Sequence, residues 1–576
     1  MNFELSTCRA SVLMRARMLT LLARCVSASL IVAAGGVQPD ALAQSPLKVL
    51  TTSPPPDRGA VTVTVNPAKT HAISPYIYGL NFATKVDDAP AAVEFDRTGG
   101  NRWTAYNWET NTSNAGRDYQ YQNDRYLGAS VTPGGVIADL IDSDRKRGMA
   151  SLITVQMQGY VAADDRGPVR LSNPPDVARF KKVVHEKASV SREPFTLAPS
   201  VSDDAVYMDE FVWAMDRKFA GQNIFGAKPA TKPVFISLDN EPELWNQTHL
   251  EIQGPKNIGS DDYIARTRSI ATALKKQFPD VVIFGPAHFG FMGMYNWLNE
   301  LKTTPNGSDW FTDRYLKAMK AASTAAGRRL VDVYDFHWYS EATDSAGTRV
   351  VSLTGPKLTD SQVQTVVQSP RSLYDRSFRE NSWISKDVLG GPIVLLDRLQ
   401  SRIDASNPGM KLALTEYNNG GALHIAGTIA QADNLGIFGA RGLFAAAQWQ
   451  MWKKEPYILG AFRAYRDFDG AGHHFGDTSV EATSGDPSRV VVYVSTDGAH
   501  AGRVVMVAIN RAPTEQTASI SGQPMRGTAR LFRITAATAG QQSQIRPVPA
   551  GTQPVSGRSI TLKLPPLSVT TVEISQ

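Results

Sequence analysis

The stretch Val234-Phe-Ile-Ser-Leu-Asp-Asn-Glu-Pro-Glu-Leu-Trp245 changes from apolar to polar within a few residues. Its first part, Val234 to Leu238, is almost entirely apolar, which is typical of a strand buried on both faces of a parallel sheet. Three polar residues, Asp239 to Glu241, follow, and Pro242 then ends strand pairing because it has no N–H group. The pattern predicts a carboxylate at the carboxyl end of a buried strand, where barrels of alternating strands and helices place catalytic residues.

The same residues also fit the start of a helix, with Asp239 or Asn240 as the cap and Pro242 in the first turn. A second stretch, Lys411-Leu-Ala-Leu-Thr-Glu-Tyr-Asn-Asn-Gly-Gly421, favours the strand interpretation because it repeats the design. An apolar strand there is followed by Glu416 and then by polar residues and glycines. Two glutamates at two strand ends suit glycoside hydrolysis, in which one carboxyl group is the acid and another the nucleophile or base.

Strands and amphipathic helices alternate over residues 76–478. This order predicts a parallel α/β sheet, and eight strands predict a closed (β/α)8 or TIM barrel. The predicted strands are Tyr76–Phe82, Arg97–Trp103, Ser151–Met157, Val234–Leu238, Val281–Pro286, Val331–His337, Leu412–Thr415 and Leu443–Trp449. Helices are predicted at Gly135–Arg147, Val206–Phe219, Tyr263–Phe278, Asp313–Ala326, Ile393–Ile403 and Ile429–Ala440.

Residues 479–576 have a different pattern, with short β-branched strands separated by turn residues. This pattern predicts an additional antiparallel β-sandwich domain. Its predicted strands are Val490–Val494, Val504–Ile509, Ala529–Ile534, Ile560–Leu564 and Val569–Ile574. Val61–Val65 alternates with period two and has no place in the barrel pattern, so we expect segment 61–75 to add a strand to the sandwich.

The first 43 residues are typical of a secretory signal peptide. Residues from Val26 to Val37 are mostly apolar or small, and Ala41-Leu-Ala43 fits the cleavage pattern. Both cysteines, Cys8 and Cys25, lie in this segment, so we expect a secreted mature chain with neither disulfides nor thiol catalysis.

Residues 44–60 include three consecutive prolines and predict a linker. The net charge of +6 is spread along the chain, with no run of lysine and arginine, so no nucleic-acid partner is expected. No later segment has eighteen uninterrupted apolar residues, so no membrane contact is expected once the signal is removed.

Five motifs occur in an order and context that resemble glycoside hydrolase family 44. They are Gly100-Asn-Arg-Trp-Thr-Ala-Tyr-Asn-Trp-Glu-Thr-Asn111 with Ser113-Asn-Ala-Gly116, Ser237-Leu-Asp-Asn-Glu-Pro-Glu-Leu-Trp245 with Thr248-His249, Asp332-Val-Tyr-Asp-Phe-His-Trp-Tyr339, Leu414-Thr-Glu-Tyr417, and Leu564-Pro-Pro-Leu-Ser-Val-Thr570. The resemblance covers nearly everything after the linker. It implies a secreted, retaining endo-β-1,4-glucanase acting on cellulose-type glucans, carboxymethylcellulose or xyloglucan, with a (β/α)8 barrel joined to a β-sandwich.

The resemblance also implies the roles of three site residues. Glu241 matches the general acid/base, Glu416 matches the nucleophile, and Asn240 matches the contact to the sugar 2-hydroxyl. The acid must carry a proton, so we expect burial and the other carboxylate to raise the pKa of Glu241. Two positions depart from the family's pattern, since Glu243 stands where Asp is common and Tyr119 where Trp is expected.

Side chains near the predicted strand ends are candidates for sugar binding, because an aromatic ring packs on the C–H face of a pyranose. Besides Asn240, the candidates are Trp108, Trp245, His337, Trp338, Tyr339, Tyr417, Trp449 and Trp452. His337 or Tyr339 is also expected to donate a hydrogen bond to Glu416. Packing in the core or at the barrel rim is the alternative for these rings.

We expect a monomer that acts on a β-glucan polysaccharide and requires no cofactor. The resemblance is compatible with a structural calcium ion, but no loop has the EF-hand spacing, so no metal ligand is assigned. One alternative is a barrel glycosidase that cuts xylan or mannan with the same two glutamates, since loops set the substrate. The other is a non-catalytic carbohydrate-binding protein, against which the presence of both glutamates argues.

Overall fold

A computed structural model describes residues 59–86, 89–90, 93–450 and 454–575, and Ala60–Gln576 form one compact unit. The expected signal peptide, residues 1–43, lies outside the described residues, as does nearly all of the expected linker. Within the described ranges, no helix is both long enough and apolar enough to cross a membrane.

Eight parallel strands close into a barrel, which confirms the predicted (β/α)8 fold. Barrel strands 1 to 8 are Gly79–Asn81, Phe95–Thr98, Ala150–Val155, Val234–Leu238, Ile283–His288, Val333–Tyr339, Lys411–Asn418 and Ala445–Gln448. Each strand pairs with the next in the chain, and strand 8 pairs with strand 1. Apolar side chains such as Phe95, Phe235 and Phe284 fill part of the barrel interior. The carboxyl end of the strands is the place where polar site residues are expected in this fold.

The predicted boundaries of strands 1 and 2 are wrong. Strand 1 is short because Pro75–Ile77 form a 3-10 turn rather than its beginning. Strand 2 ends at Thr98, and Asn101–Thr104 form a helical turn instead of its continuation. Gly100 makes this change of direction possible, since its φ of 88° is in the left-handed region that glycine adopts readily. Arg97 therefore lies near the carboxyl end of strand 2.

Helices cover the outside of the barrel as their apolar spacing predicts. The longer helices are Gly135–Lys146, Met208–Lys218, Ser260–Gln277, Phe311–Ala325, Asp360–Gln368, Leu395–Ser406, Ile425–Ala440 and Pro456–Arg466. Short helices are Asn101–Thr104, Trp245–Thr248, Leu250–Gln253, Phe291–Asn296 and Ala536–Ala539. Two small sheets that were not predicted lie between barrel strands 2 and 4, one of Ser113–Asn114, Gln122–Asp124 and Gly167–Pro168, the other of Tyr160–Ala162, Phe180–Val184 and Ala205–Tyr207.

The second sheet domain has seven strands, mostly antiparallel. They are Val61–Ala72, Thr478–Ser484, Val490–Thr496, Val504–Asn510, Gln516–Ile534, Val548–Leu564 and Ser568–Ser575. Val61–Ala72 pairs antiparallel with Thr478–Ser484, a strand that the sequence pattern did not predict. The first residues of Val61–Ala72 also pair parallel with Gln516–Ile534. The sheet thus folds back around an apolar core of its own, in agreement with the predicted β-sandwich.

Helix Ile425–Ala440 joins the barrel to the sandwich and is buried almost all round. Its Asp433 carboxylate accepts a hydrogen bond from Tyr493 at 2.6 Å and forms an ion pair with Arg511 of the sandwich. The side chains of Asp433 and Arg511 are both 0% exposed. Two charges withdrawn from water are tolerated only as a closely matched pair, so this contact fixes how the two domains pack.

Replacement of Asp433 with Asn should therefore lower the free energy of unfolding by about 3–5 kcal/mol, because the Arg511 charge stays buried after losing its carboxylate partner. Urea unfolding measures the loss. Asp142→Asn is the control, since the exposed pair of Asp142 with Lys146 should contribute less than about 1 kcal/mol. Equal losses in the two variants would contradict the role given to the buried pair.

Candidate active site

Glu241 and Glu416 meet at the carboxyl end of the barrel, although they belong to strands 4 and 7, which are three positions apart. One oxygen of each carboxylate and one ring nitrogen of His337 all lie within 4.8 Å of one another. Glu241 follows strand 4, and its backbone N–H donates to the carbonyl of Ala287 at 3.0 Å. Glu416 lies inside strand 7, which is longer than predicted.

Both oxygens of Glu416 are held by donors. Arg97 Nη1 lies 2.6 Å from Oε1, and the Tyr339 hydroxyl donates to Oε2 at 2.7 Å, which is one of the contacts expected from the sequence. Burial, and next the charge of Glu416, raises the pKa of Tyr339 well above its ordinary range, so the phenol remains a donor at neutral pH. These contacts hold the carboxylate of Glu416 in one orientation.

Glu241 has surroundings that favour its protonated form. Burial is the main cause that raises the pKa of Glu241 to about 8, and the negative charge of Glu243 is the next. The expectation that the carboxylate of Glu416 has this second effect is wrong, because Glu243 is the neighbour that has it. His337 Nδ1 lies 2.9 Å from Glu241 Oε1, and burial lowers the pKa of His337 to about 3, so its imidazole is neutral.

Arg97 connects Glu416 to Asn240 across the site, and the sequence pattern predicted no role for it. Its buried Nη1 also donates to Asn81 Oδ1 at 3.1 Å, and its Nη2 donates to Asn240 Oδ1 at 2.8 Å. The N–H of Gly100 donates to the same Asn240 oxygen at 3.2 Å, which leaves Nδ2 as the Asn240 group that can donate to a ligand. The guanidinium occupies the space where a side chain on Gly99 would lie. The adjacent glycines, Gly99 and Gly100, were therefore the sequence feature that could have indicated the position of Arg97.

Two of the rings expected to bind sugar face away from the site. Successive side chains of a strand point to opposite faces, so His337 and Tyr339 face inward while Trp338 faces the surrounding helices and is 3% exposed. By the same rule Glu416 faces inward and Tyr417 outward, where the Tyr417 hydroxyl bonds to a helix side chain. The expectation that Trp338 and Tyr417 contact sugar is wrong.

Trp108 and Trp245 are also core residues rather than sugar platforms. Trp108 is fully buried and stacks on Phe211, with 5.8 Å between the ring centroids. Trp245 is fully buried, and its indole N–H donates to the Asn240 carbonyl at 3.0 Å. Trp245 therefore supports the backbone beside Glu241, and neither ring offers a face to a ligand.

Trp449 is the ring whose position best fits sugar contact. It is only partly buried, follows strand 8, and packs edge-on against Phe82 with 5.7 Å between the ring centroids. The point where a side chain on Gly100 would begin lies 2.9 Å from the Trp449 ring, which puts the ring beside the Asn240 contact. Trp452 lies outside the described residues.

Glu241, His337 and Glu416 are the one group of three metal-ligand side chains found close together in the described part of the chain. Two carboxyl groups at this spacing are what glycoside hydrolysis uses, and that chemistry requires no cofactor. Family 44 hydrolases generally work without one. The expected structural calcium ion remains a prediction without assigned ligands.

Comparison with known proteins gives consistent matches. A model of glycoside hydrolase family 44 matches residues 112–342. Endoglucanase A of Paenibacillus lautus is 36% identical over 527 residues, which are 88% of this chain and 71% of that protein. Beta-mannanase/endoglucanase A of Caldicellulosiruptor saccharolyticus is 34% identical over 477 residues, 78% of this chain but only 34% of that longer protein.

A solved structure agrees over the whole of its length. The family 44 xyloglucanase of Paenibacillus polymyxa, determined with xyloglucan, is 32% identical and superposes with a TM-score of 0.80. The match covers 90% of this chain and 99% of that one, so it includes both the barrel and the β-sandwich. On this evidence the chain belongs to glycoside hydrolase family 44.

Proposed function

We propose that this chain is a retaining endo-β-1,4-glucanase in which Glu241 is the general acid/base and Glu416 the nucleophile. The observation that carries the proposal is that one oxygen of Glu241 and one oxygen of Glu416 lie within 4.8 Å of each other. Retaining glycosidases separate these groups by about 5–5.5 Å, whereas inverting enzymes need about 6.5–9.5 Å to admit a water molecule. The short distance favours direct attack by Glu416 on the sugar.

In the first step Glu416 attacks the anomeric carbon while the bond to the leaving oxygen breaks. Protonated Glu241 gives its proton to that oxygen, so the leaving sugar departs as an alcohol and a glycosyl ester remains on Glu416. Arg97 and Tyr339 hold the attacking carboxylate, each with a hydrogen bond to a different oxygen. The Nδ2 of Asn240 donates one hydrogen to Asn101 Oδ1 at 3.4 Å, and we assign its second hydrogen to the sugar 2-hydroxyl.

In the second step Glu241, now a carboxylate, takes a proton from water as the water oxygen attacks the anomeric carbon. The ester bond to Glu416 breaks, the sugar leaves with its original configuration, and Glu241 is protonated again. Neutral His337 lies 2.9 Å from Glu241 and 3.5 Å from Glu416. We propose that it keeps the acid facing the nucleophile through both steps.

The proposed substrates are β-1,4-glucans such as carboxymethylcellulose and xyloglucan. The relatives named an endoglucanase and a xyloglucanase support this choice. A mannan-cleaving enzyme is the second candidate, because another relative is named a beta-mannanase/endoglucanase. We further propose a secreted monomer, supported by the signal-like residues 1–43 and by the origin of all the site residues in one chain.

A panel of soluble polysaccharides with a reducing-sugar assay tests this proposal. We expect release of ends from carboxymethylcellulose or xyloglucan to exceed release from xylan and mannan. Glu416→Ala should abolish it, which excludes a contaminating hydrolase. Binding of the polysaccharides without any hydrolysis would instead support a non-catalytic carbohydrate-binding protein.

Glu241→Gln should reduce hydrolysis of polysaccharide by roughly 10²–10⁴-fold, the usual contribution of general acid catalysis. An aryl glycoside with a good leaving group needs less protonation, so its first step should be much less affected. Parallel measurement of kcat/KM, which reports the first step, on both substrates checks this difference. A wild-type rate on polysaccharide would show that Glu241 is not the acid.

The pH profile should have an alkaline limb near pH 8. Glu241 must be protonated to act, and burial raises its pKa to about 8, so kcat/KM on polysaccharide should hold below that pH and decline above it. The profile with an activated aryl glycoside should decline less steeply. A limb that lies below about pH 6, outside the range of such a raised pKa, would contradict the assignment of the acid.

A further inference from the structure

Glu243 and His288 form a buried pair that the two-glutamate mechanism does not use. Both side chains are 0% exposed, and His288 Nδ1 is hydrogen-bonded to Glu243 Oε1. The N–H of Phe289 donates to the other Glu243 oxygen at 3.4 Å. Glu243 follows strand 4 and His288 is the last residue of strand 5, so the pair joins the ends of two neighbouring strands.

The same two strand ends are joined at the acid itself. The N–H of Glu241 donates to the carbonyl of Ala287 at 3.0 Å. Glu241 and Ala287 have φ values of 42° and 55°, in the left-handed region that residues with side chains rarely adopt. Such conformations persist only where the surroundings over-determine them. The Glu243–His288 pair supplies the next cross-link, two residues after the acid.

His288 is fixed by aromatic rings. Its ring centroid lies 6.0 Å from that of Trp297, 5.4 Å from that of Phe311 and 5.7 Å from that of Tyr334. Its Nε2 is buried and has no hydrogen-bond partner among the described groups. A buried nitrogen left without a partner is unfavourable, and departures of this kind are expected at functional sites. The surrounding rings hold His288 so that its Nδ1 makes a hydrogen bond with Glu243.

We propose that Glu243 and His288 are positioning residues for the general acid, which hold its backbone turn and keep a carboxylate behind it. The inference rests on the proposed role of Glu241. The pKa of Glu241 responds to the charges of Glu243, Arg97 and Asp118. The titratable side chains of His337 and Glu416 also lie beside it. After burial, the charge of Glu243 is the largest cause that raises the pKa of Glu241, and Arg97 opposes it.

Glu243→Gln separates charge from shape. Glutamine keeps the length of the side chain and an oxygen that can accept from His288, but it removes the negative charge. The alkaline limb of kcat/KM on polysaccharide should move about one unit to lower pH, the size of effect that a nearby like charge has. The rate on an activated aryl glycoside should change much less. A uniform loss of rate with an unmoved limb would overturn the inference, since a merely structural residue behaves so.

Gly293→Ala disturbs the pair without replacing either member. The added methyl group would press on the Glu243 carboxylate and lie 3.1 Å from His288 Nδ1. Gly293 lies in helix Phe291–Asn296, where alanine is favourable, so folding should be retained. We expect the polysaccharide rate to fall at least about tenfold more than the aryl glycoside rate, because the acid is displaced. Gly391→Ala, with no atom within 4 Å, is the matched control and should behave as wild type.

The outcomes separate this inference from the proposed function. If wild type cuts β-1,4-glucan and neither variant shows the expected change, the pair has no positioning role and the function stands. If wild type cuts no glycan, the function fails, and crystal structures of Glu243→Ala and Gly293→Ala decide the inference alone. Loss of the left-handed φ at Glu241 would support the positioning role of the Glu243–His288 pair, and an unchanged turn in both structures would overturn it.

Discussion

The buried guanidinium of Arg97 is the charge on which the rest of the site depends. A fully buried charge is stable only when it is paired and hydrogen-bonded. The two terminal nitrogens of Arg97 bond to Glu416, Asn240 and Asn81, while Nε has no partner among the described groups. These partners come from barrel strands 1 and 7 and the end of strand 4, so one side chain of strand 2 ties four strands together. The carboxylate of Glu416 and the amide of Asn240 therefore cannot move independently. The close fit of the guanidinium against Gly99 makes this arrangement specific.

The two glutamates differ in their surroundings, and differences of this kind give paired carboxyl groups in enzymes different roles. Glu416 receives a hydrogen bond from a cation and another from a phenol, one at each oxygen. Glu241 faces a neutral imidazole on one side and lies near a second buried carboxylate, Glu243. The barrel supplies both environments although oxygens of the two side chains lie within 4.8 Å of each other. In water, the high dielectric constant would weaken the electrostatic interactions that make the two environments differ.

The fold could be predicted because a strand buried on both faces is a continuous apolar run. Both glutamates could be predicted because the apolar runs of strands 4 and 7 each lead into a glutamate. The rings that contact sugar could not be identified from the sequence. Successive residues of His337-Trp338-Tyr339 point to opposite faces of the sheet, and residue type alone does not say which face is inward. Arg97 was missed because its place at the rim depends on where Gly100 turns the chain. The influence of Glu243 depends on its partner His288 from the next strand, which no local pattern of residues contains.

Proton NMR of cello-oligosaccharide hydrolysis tests the central claim most directly, because the configuration of the first product reports how the two glutamates cooperate. Attack by Glu416 followed by attack of water inverts the anomeric carbon twice. The account predicts that the β-anomeric proton of the new reducing end appears first and that the α signal grows only through mutarotation. An α anomer as the initial product would contradict the nucleophilic role of Glu416 and the retaining mechanism inferred from the carboxylate separation.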